Sequence, residues 1–220
     1  MLEKAVSETL AFLDHLEDEG ELIIVSDGCN DSPEELIGSW LKSDSRLRLI
    51  QLDRHRGKGA AVRSGVLAAQ GELIAMLDVD LSAAPDSLIT LREAMGPNDS
   101  IVCGSRTLKG SILPKPQGWL RRCAGFLFHL FVRMMTSLEI KDTQCGCKLF
   151  RAHDVQPIFE SMKVEGFAFD VELLFLARKN CLKMIEVPIE WSDSSGTTVN
   201  LLRDGLRMAW TILTLKRLHR

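Results

Sequence analysis

The sequence has 220 residues, of which 45% are hydrophobic and 26% are charged, and its formal net charge is −3. This length and composition predict one globular α/β domain with a substantial core. The balance of charge argues against a nucleic-acid-binding protein that works by bulk electrostatics, and no stretch predicts a transmembrane helix or a signal peptide.

The cysteines form neither a Cys-x-x-Cys pair nor a disulfide-rich pattern. We therefore expect reduced thiols in a cytosolic environment, and the isolated Cys-Gly-Cys at residues 145–147 does not predict a zinc site. The six cysteines are Cys29, Cys103, Cys123, Cys145, Cys147 and Cys181.

The first half of the chain alternates predicted helices and strands. A helix pattern opens the chain and ends at Gly20, and short apolar runs predict strands at residues 22–25, 47–52 and 72–77, with helices between them. This alternation is typical of a parallel, doubly wound sheet, in which ligands bind at the carboxyl ends of the strands.

Polar residues follow each of these three predicted strands: Asp27, then the basic glycine loop at residues 54–59, then Asp78 and Asp80. Alternate residues of a strand share a face, so Asp78 and Asp80 can converge on one ligand. Two carboxylates at a strand end suit a divalent cation that carries a diphosphate, although the same pattern is also common in solvated turns. The glycine loop lacks the Ser or Thr of a nucleotide-triphosphate loop, since Gly59 stands there. It could still hold a phosphate, or be a solvated basic turn.

The second half predicts further elements. They are a helix that opens at Pro85, a strand at 100–104, a loop at 107–118, a helix at 119–138, a polar turn leading into a strand at 142–150, helices at 154–162 and 169–179, a strand at 183–189 and a helix at 199–218. We expect one domain at residues 1–198, followed by an amphipathic helix and basic tail at residues 199–220.

Two of these predicted helices have two interpretations each. The apolar helix at 119–138 carries arginines and is typical either of a helix in the lipid headgroup layer or of one packed on a sheet. The final helix has Trp210 and a basic end, which favour either an anionic membrane face or packing across the domain.

Six motifs together resemble family 2 glycosyltransferases of the GT-A fold, and more narrowly the dolichyl-phosphate β-glucosyltransferase branch. The DTQCG and AFDVELL strings are more specific than the acid pair. The motifs are Asp27-Gly28, RGKGAA at 56–61, Asp78-Val79-Asp80, Gly104-Ser105-Arg106, DTQCGCKLF at 142–150 and AFDVELL at 168–174.

This resemblance implies a mostly parallel GT-A sheet flanked by helices and an enzyme that transfers glucose from UDP-glucose to dolichyl or polyprenyl phosphate for N-glycan precursors, with inversion. It further implies Mg²⁺ or Mn²⁺ as cofactor, contact with a membrane surface, and a position on the cytosolic face of the endoplasmic reticulum, or the cytoplasmic membrane face in a bacterium. The alternatives are a GDP-mannose-dependent enzyme of the sister branch and a truncated, inactive family member.

The resemblance also assigns site residues. For the nucleotide sugar they are Asp27, Gly57, Lys58, Gly59, Asp78 and Gln144, with Asp78 and Asp80 for the metal. For catalysis they are Asp80, Arg106, Asp142 and Asp170, and for the lipid phosphate Arg121 and Arg122. An acid such as Asp170 in the first turn of a helix is also favoured by the helix dipole alone.

The sequence departs from the family pattern at its start. Family members usually open with an apolar strand in the middle of the sheet, and this sequence begins after it. We therefore expect exposed strand edges and a reduced uridine site. Ser26 also replaces a frequent aspartate beside Asp27.

Overall fold

The structure is a computed structural model that describes residues 1–28, 32–114, 119–192 and 201–220, without the side chains of residues 119–124, 201 and 202. Helices and strands alternate through the first half, as predicted. The elements in chain order are α1 (Leu2–Asp14), β1 (Leu22–Ser26), α2 (Pro33–Ser43), β2 (Leu47–Gln51), α3 (Lys58–Ala68), β3 (Leu73–Leu77), α4 (Ser87–Ala94), β4 (Ile101–Ser105), α5 (Trp119–Thr136), β5 (Cys147–Arg151), α6 (Ala152–Ser161), α7 (Phe169–Lys179), β6 (Met184–Pro188) and α8 (Leu201–Leu218).

The described strands form two sheets. Strands β1 and β2 pair in parallel, and the other four follow the order β3-β5-β4-β6. Strand β5 runs antiparallel to both of its neighbours, whereas β4 and β6 are parallel. Strands β3, β4 and β6 therefore run in one direction, as expected for a mostly parallel sheet, and β5 is the one reversed strand.

Strands β1 and β3 run in the same direction. Before both strands begin, the Glu21 carboxylate accepts a hydrogen bond from the Gln70 amide at 2.7 Å. After both strands end, Asp27 bonds to Gly57 and Asp78 to the neighbouring Lys58. The carboxyl ends of β1 and β3 therefore lie on the same side of the molecule.

A wide cleft separates β1 from β3. No described strand lies between them, and every residue of both strands lines an open cavity of about 2890 Å³. The exposed strand edges expected from the sequence are therefore present in the described chain.

The main core lies between the larger sheet and α3, α5, α6, α7 and α8. Phe150 of β5 and Phe159 of α6 are fully buried there, with ring centroids 5.9 Å apart in an edge-to-face arrangement. A smaller core around Val6, Ile37 and Leu47 joins α1 and α2 to the two-stranded sheet. The two sheets thus have separate cores on either side of the cleft.

The end of α8 is attached to α7 and to the segment before it. The buried Glu172 carboxylate accepts hydrogen bonds from the backbone amides of residues 163 and 164 and lies 2.6 Å from His219 Nε2. Lys163 and Lys179 donate to the carbonyls of Leu218 and His219 at 2.8 and 2.6 Å. These contacts fix the last turn of α8 against the core.

No helix in the described part of the chain is both long enough and apolar enough to cross a bilayer.

Candidate active site

One cleft brings together eight of the residues predicted for the site. It begins between β1 and β3 and opens at the carboxyl ends of the strands. The residues that line it are Asp27, Lys58, Asp78, Asp80, Arg106, Asp142, Gln144 and Asp170. The predicted lipid-phosphate pair, Arg121 and Arg122, falls in α5, but both side chains lie outside the described residues.

Asp27 organises the basic glycine loop. Its two carboxylate oxygens accept hydrogen bonds from the backbone amides of Arg56 and Gly57, each at 2.7 Å, and His55 Nδ1 lies 2.8 Å from the same carboxylate. The carboxylate therefore holds the turn in which Lys58 begins α3. Its predicted contact with uridine stays a prediction.

Both glycines of this loop are required by close packing. Gly57 has a φ of +118°, and a side chain there would also meet the Glu165 carbonyl. A β-carbon at Gly59 would lie 2.6 Å from Phe169 Cβ and from the Val164 carbonyl oxygen. The loop consequently rests on the segment that leads into α7, which carries Asp170.

Lys58, the first residue of α3, contacts Asp78, which follows the end of β3. Lys58 Nζ lies 2.6 Å from Asp78 Oδ1 and 6.0 Å from the centroid of the Phe169 ring. The Asp78 carboxylate also packs directly on Gly146, where an added β-carbon would collide with it. The glycine of the DTQCG motif thus makes room for the carboxylate of the acid pair.

Asp80 lies in the turn after β3, and its Oδ1 accepts a hydrogen bond from the Ser82 amide at 2.9 Å. Asp78 and Asp80 are both half-buried. Among the described residues, no group of three or more His, Cys, Asp or Glu side chains is arranged to hold a metal. Two carboxylates fit the donor set that Mg²⁺ uses when substrate phosphates and water complete its coordination.

Arg106 and Asp142 form a bidentate ion pair. The guanidinium donates to both oxygens of the Asp142 carboxylate at 2.7 and 2.8 Å, and the Arg106 amide adds a third bond at 2.9 Å. Burial raises the pKa of Asp142, but the hydrogen bonds and charge of Arg106 outweigh burial, so the pKa lies below its ordinary value. Asp142 is therefore ionised at neutral pH.

Two further residues fix this ion pair. Glu186 accepts hydrogen bonds from the backbone amides of Lys141 and Asp142, both at 2.8 Å. The ring of Trp191 lies 4.9 Å from the centre of the Arg106 guanidinium, which is the geometry of a cation–π contact. Glu186 thus fixes the backbone at Asp142, and Trp191 packs on the guanidinium of Arg106.

Gln144 lies two residues beyond Asp142. Its amide nitrogen is 3.9 Å from the sulfur of Met208 in α8. The predicted sugar-pocket residue therefore lies where α8 meets the cleft.

Asp170 is buried beneath the cleft and pairs with a buried lysine. Lys148 Nζ lies 2.6 Å from both Asp170 Oδ1 and the Cys145 carbonyl oxygen. Burial raises the pKa of Asp170, against the opposing effect of the Lys148 charge. Burial alone would lower the pKa of Lys148, but the charge of Asp170 outweighs burial, so the pKa of Lys148 lies above its ordinary value. The pair links β5 to α7.

The four cysteines whose side chains the structure describes, Cys103, Cys145, Cys147 and Cys181, are free thiols. Burial raises the pKa of Cys145 to about 11, and that of Cys103 to about 12. Both thiols are therefore protonated at neutral pH.

Sequence reasoning missed four residues that shape the site: Gly146, Lys148, Glu186 and Trp191. Lys148 and Glu186 each left a signal, because a lone charge within a short apolar strand predicts a buried partner. Gly146 belongs to a quoted motif but its contact with Asp78 depends on tertiary structure. Nothing in the local sequence marked Trp191 as a partner of Arg106.

Comparison with known proteins identifies the family. The profile described as glycosyl transferase family 2 matches residues 2–159. A dolichyl-phosphate beta-glucosyltransferase from Dictyostelium discoideum is 36% identical over 203 residues, covering 89% of this chain and 62% of the relative. One from Homo sapiens is 30% identical over 204 residues, covering 89% of this chain and 63% of the relative. The chain thus spans less than two thirds of the length of these two relatives.

Solved structures agree on the fold. Mannosyl-3-phosphoglycerate synthase from Rubrobacter xylanophilus superposes with a TM-score of 0.67 at 16% identity, covering 99% of this chain and 69% of that one. Glucosyl-3-phosphoglycerate synthase from Mycobacterium tuberculosis, solved with Mn²⁺, UDP-glucose and phosphoglyceric acid, gives a TM-score of 0.65 at 15% identity, covering 99% and 75%. The matched profile covers more than half of the residues, and the chain therefore belongs to glycosyl transferase family 2.

Proposed function

We propose that this chain transfers glucose from UDP-glucose to dolichyl phosphate or another polyprenyl phosphate, for the assembly of N-glycan precursors. The observation that carries the proposal is the single cleft in which the Lys58–Asp78 contact lies with the Arg106–Asp142 pair. The names of the Dictyostelium and human relatives support the choice of acceptor. Such an acceptor implies a membrane surface, which we propose is the cytosolic face of the endoplasmic reticulum, or the cytoplasmic membrane face in a bacterium.

The cleft suits a nucleotide diphosphate sugar. The Lys58 ammonium lies at the beginning of α3, where the helix dipole also favours an anion. In the proposal Asp27 contacts the uridine and Gln144 the sugar. Asp78 and Asp80 would hold Mg²⁺ or Mn²⁺, which would supply positive charge beside the departing diphosphate.

The proposed reaction is a single displacement that inverts the anomeric carbon. An oxygen of the lipid phosphate forms a bond to that carbon, while the bond from the carbon to the β-phosphate oxygen breaks and UDP leaves with the electron pair. The lipid phosphate is already an anion near neutral pH, so no proton has to be removed. The protein's contribution is positioning and neutralisation of charge.

The ion pairs of the site fit this assignment. Asp142 is held ionised by Arg106, and Asp170 is buried against Lys148, so both carboxylates are fixed in place. We therefore assign Asp142 and Asp170 to orientation of the substrates, and Arg106 to the cationic side of the sugar pocket. In this proposal the lipid phosphate lies near Arg121 and Arg122 at the beginning of α5.

The test is a transfer assay with radiolabelled UDP-glucose, Mn²⁺ and dolichyl phosphate. We expect Asp80→Asn to lower the transfer of label into lipid by about 100-fold, because a charged ligand of the metal is lost. Asp86→Asn, which removes an exposed acid outside the cleft, should leave the rate unchanged. Equal transfer by Asp80→Asn and the parent would refute the metal assignment. Stronger competition by GDP than by UDP would refute the choice of donor.

A second candidate is a family member that binds nucleotide or a partner without turnover. The open gap between β1 and β3 favours it, since the uridine side of the cleft borders that gap. This candidate predicts no change in the thermal unfolding temperature on adding UDP and Mn²⁺. A clear stabilising shift would count against it.

A further inference from the structure

Two neighbouring helices expose apolar side chains on one face each. On α5 these are Phe126, Leu127, Leu130 and Met134, and on α8 they are Leu206, Trp210 and Leu213. All seven are more than half exposed, and Leu206 and Trp210 reach 74% and 69%. Their spacing places each set on one side of its helix. Such a concentration of exposed apolar surface is unusual for a soluble face.

The opposite faces of the two helices are packed. Val132 of α5 and Met208, Ile212 and Leu215 of α8 are buried, three of them in the main core. The helices also contact each other. Because the opposite faces are buried, the orientation of both helices is fixed. Their exposed apolar side chains therefore cannot turn toward the core.

The charge on this surface has one sign. The sequence of α5 contains no acid, and α8 contains one, Asp204. The exposed charged residues that accompany the apolar faces are basic: Arg133, Arg203, Arg207, Lys216 and Arg217. The chain as a whole has a net charge of −3, so this surface differs in sign from the rest of the molecule.

The same helices border the candidate active site. Phe126 and His129 of α5 and Met208 of α8 line the cleft, and Met208 reaches Gln144. A partner that covers the exposed faces of α5 and α8 would therefore lie beside the opening through which an acceptor enters.

We infer that α5 and α8 together form a docking surface for an anionic lipid bilayer, with the apolar side chains in the headgroup layer and the basic ones on lipid phosphates. Apolar residues flanked only by arginine and lysine are the pattern of interfacial helices. A second copy of the chain fits less well, because the same face would bring arginine against arginine. This inference gives a location to the membrane contact in the proposed function. Its test needs no turnover, so either can fail without the other.

The test is co-sedimentation of the full chain with phosphatidylcholine vesicles, with and without phosphatidylserine. We expect binding to the anionic vesicles that weakens in high salt, because lipid charge and arginine attract over about a Debye length. The triple variant Leu206→Ser, Trp210→Ser, Leu213→Ser should bind at least about tenfold more weakly. The matched control replaces Leu36 and Ile89, exposed apolar residues of α2 and α4, with serine and should bind like the parent.

A second measurement does not depend on the folding of the triple variant. In the parent, vesicles containing brominated lipid should quench part of the tryptophan fluorescence, and the quenched part should be smaller in Trp210→Phe because the contribution of Trp210 is removed. Equal vesicle binding by the triple variant and the parent would overturn the inference. So would equal loss in the control, an absence of Trp210 quenching, or a dimer through this face that does not bind vesicles.

Discussion

Arg106 gives three hydrogen bonds to the carboxylate of Asp142, two from its guanidinium and one from its backbone amide. The two residues are 36 positions apart in sequence and belong to different motifs, the end of β4 and the turn before β5. The arginine and the acid that the resemblance assigns to catalysis are thus each other's counter-ion. A change in either residue therefore alters both parts of the site.

Stability should depend on pH through Asp142. Its folded pKa lies below the ordinary value of 3.8, so its contribution is complete above that pH and is lost as the pH falls through the folded pKa. At neutral pH we expect Asp142→Asn to lower the free energy of unfolding by about 3 kcal/mol, since Arg106 loses its charged partner. Urea denaturation from pH 7 to pH 3 should show this difference between variant and parent shrinking in the acid range. A difference that stays constant down to pH 3 would contradict the assignment.

Replacing Gly146 with alanine should disturb Asp78 without unfolding the chain. The new β-carbon would collide with the Asp78 carboxylate, which must then shift and so alter its contact with Lys58. We expect glucosyl transfer to fall by at least about tenfold, because displacements of this size in a site are costly. Circular dichroism checks the fold.

The matched control for that substitution is Gly38→Ala. It adds the same methyl group within α2, where no atom lies within 4 Å of the new carbon. It should leave activity unchanged and raise stability slightly, because alanine is the better helix former. Full transfer activity in Gly146→Ala would show that Asp78 tolerates displacement.

Lys148→Met should be strongly destabilising, because it leaves the Asp170 carboxylate buried without its cation. We expect a loss of about 3–5 kcal/mol in the free energy of unfolding, and recovery of most of it when Asp170→Leu is added. Lys109→Met, at an exposed position, should change stability by no more than about 0.5 kcal/mol. If the double variant is less stable than Lys148→Met alone, the two residues do not act as a pair.

Hydrogen exchange should report the open edge of β1. The Leu22 amide bonds to the Arg46 carbonyl, so alternation places the amides of Ile23 and Val25 toward the cleft. On β3, Ala152 donates to Glu72, which places the Ile74 amide toward β5. We expect rapid exchange at Ile23 and Val25 and protection at Ile74. Equal protection of all three amides would show that the β1 edge is covered in solution.

The sequence was informative about elements and about the edge of the sheet where the site lies. Apolar runs that end in polar residues predicted β1, β2 and β3 and placed Asp27, Lys58 and Asp78 together, because parallel strands end on one side. The reversal of β5 was not predictable in this way. A five-residue apolar strand has the same alternation in either direction, so only its pairing determines which way it runs.

The contacts that hold the site were less accessible to sequence reasoning. Asp170 of helix α7 was recognised through its motif, but its partner Lys148 lies in strand β5, and the pairing depends on how α7 packs on β5. The Trp191 ring beside Arg106 depends likewise on the path of the chain after β6. Residue types and spacing predicted which groups are present, and tertiary packing decides which of them neutralise each other.

The attachment of the last turn of α8 determines how the chain would lie on a membrane. The last residues of α8 form hydrogen bonds with Lys163, Lys179 and Glu172. Glu172 belongs to the same helix as Asp170. If α8 rests on a bilayer, it cannot act as a hinged anchor, because its end moves with α7. The height of the candidate cleft above the lipid is then a fixed dimension of the protein, and in the proposed reaction it sets how far the lipid phosphate must rise from the membrane to reach the sugar.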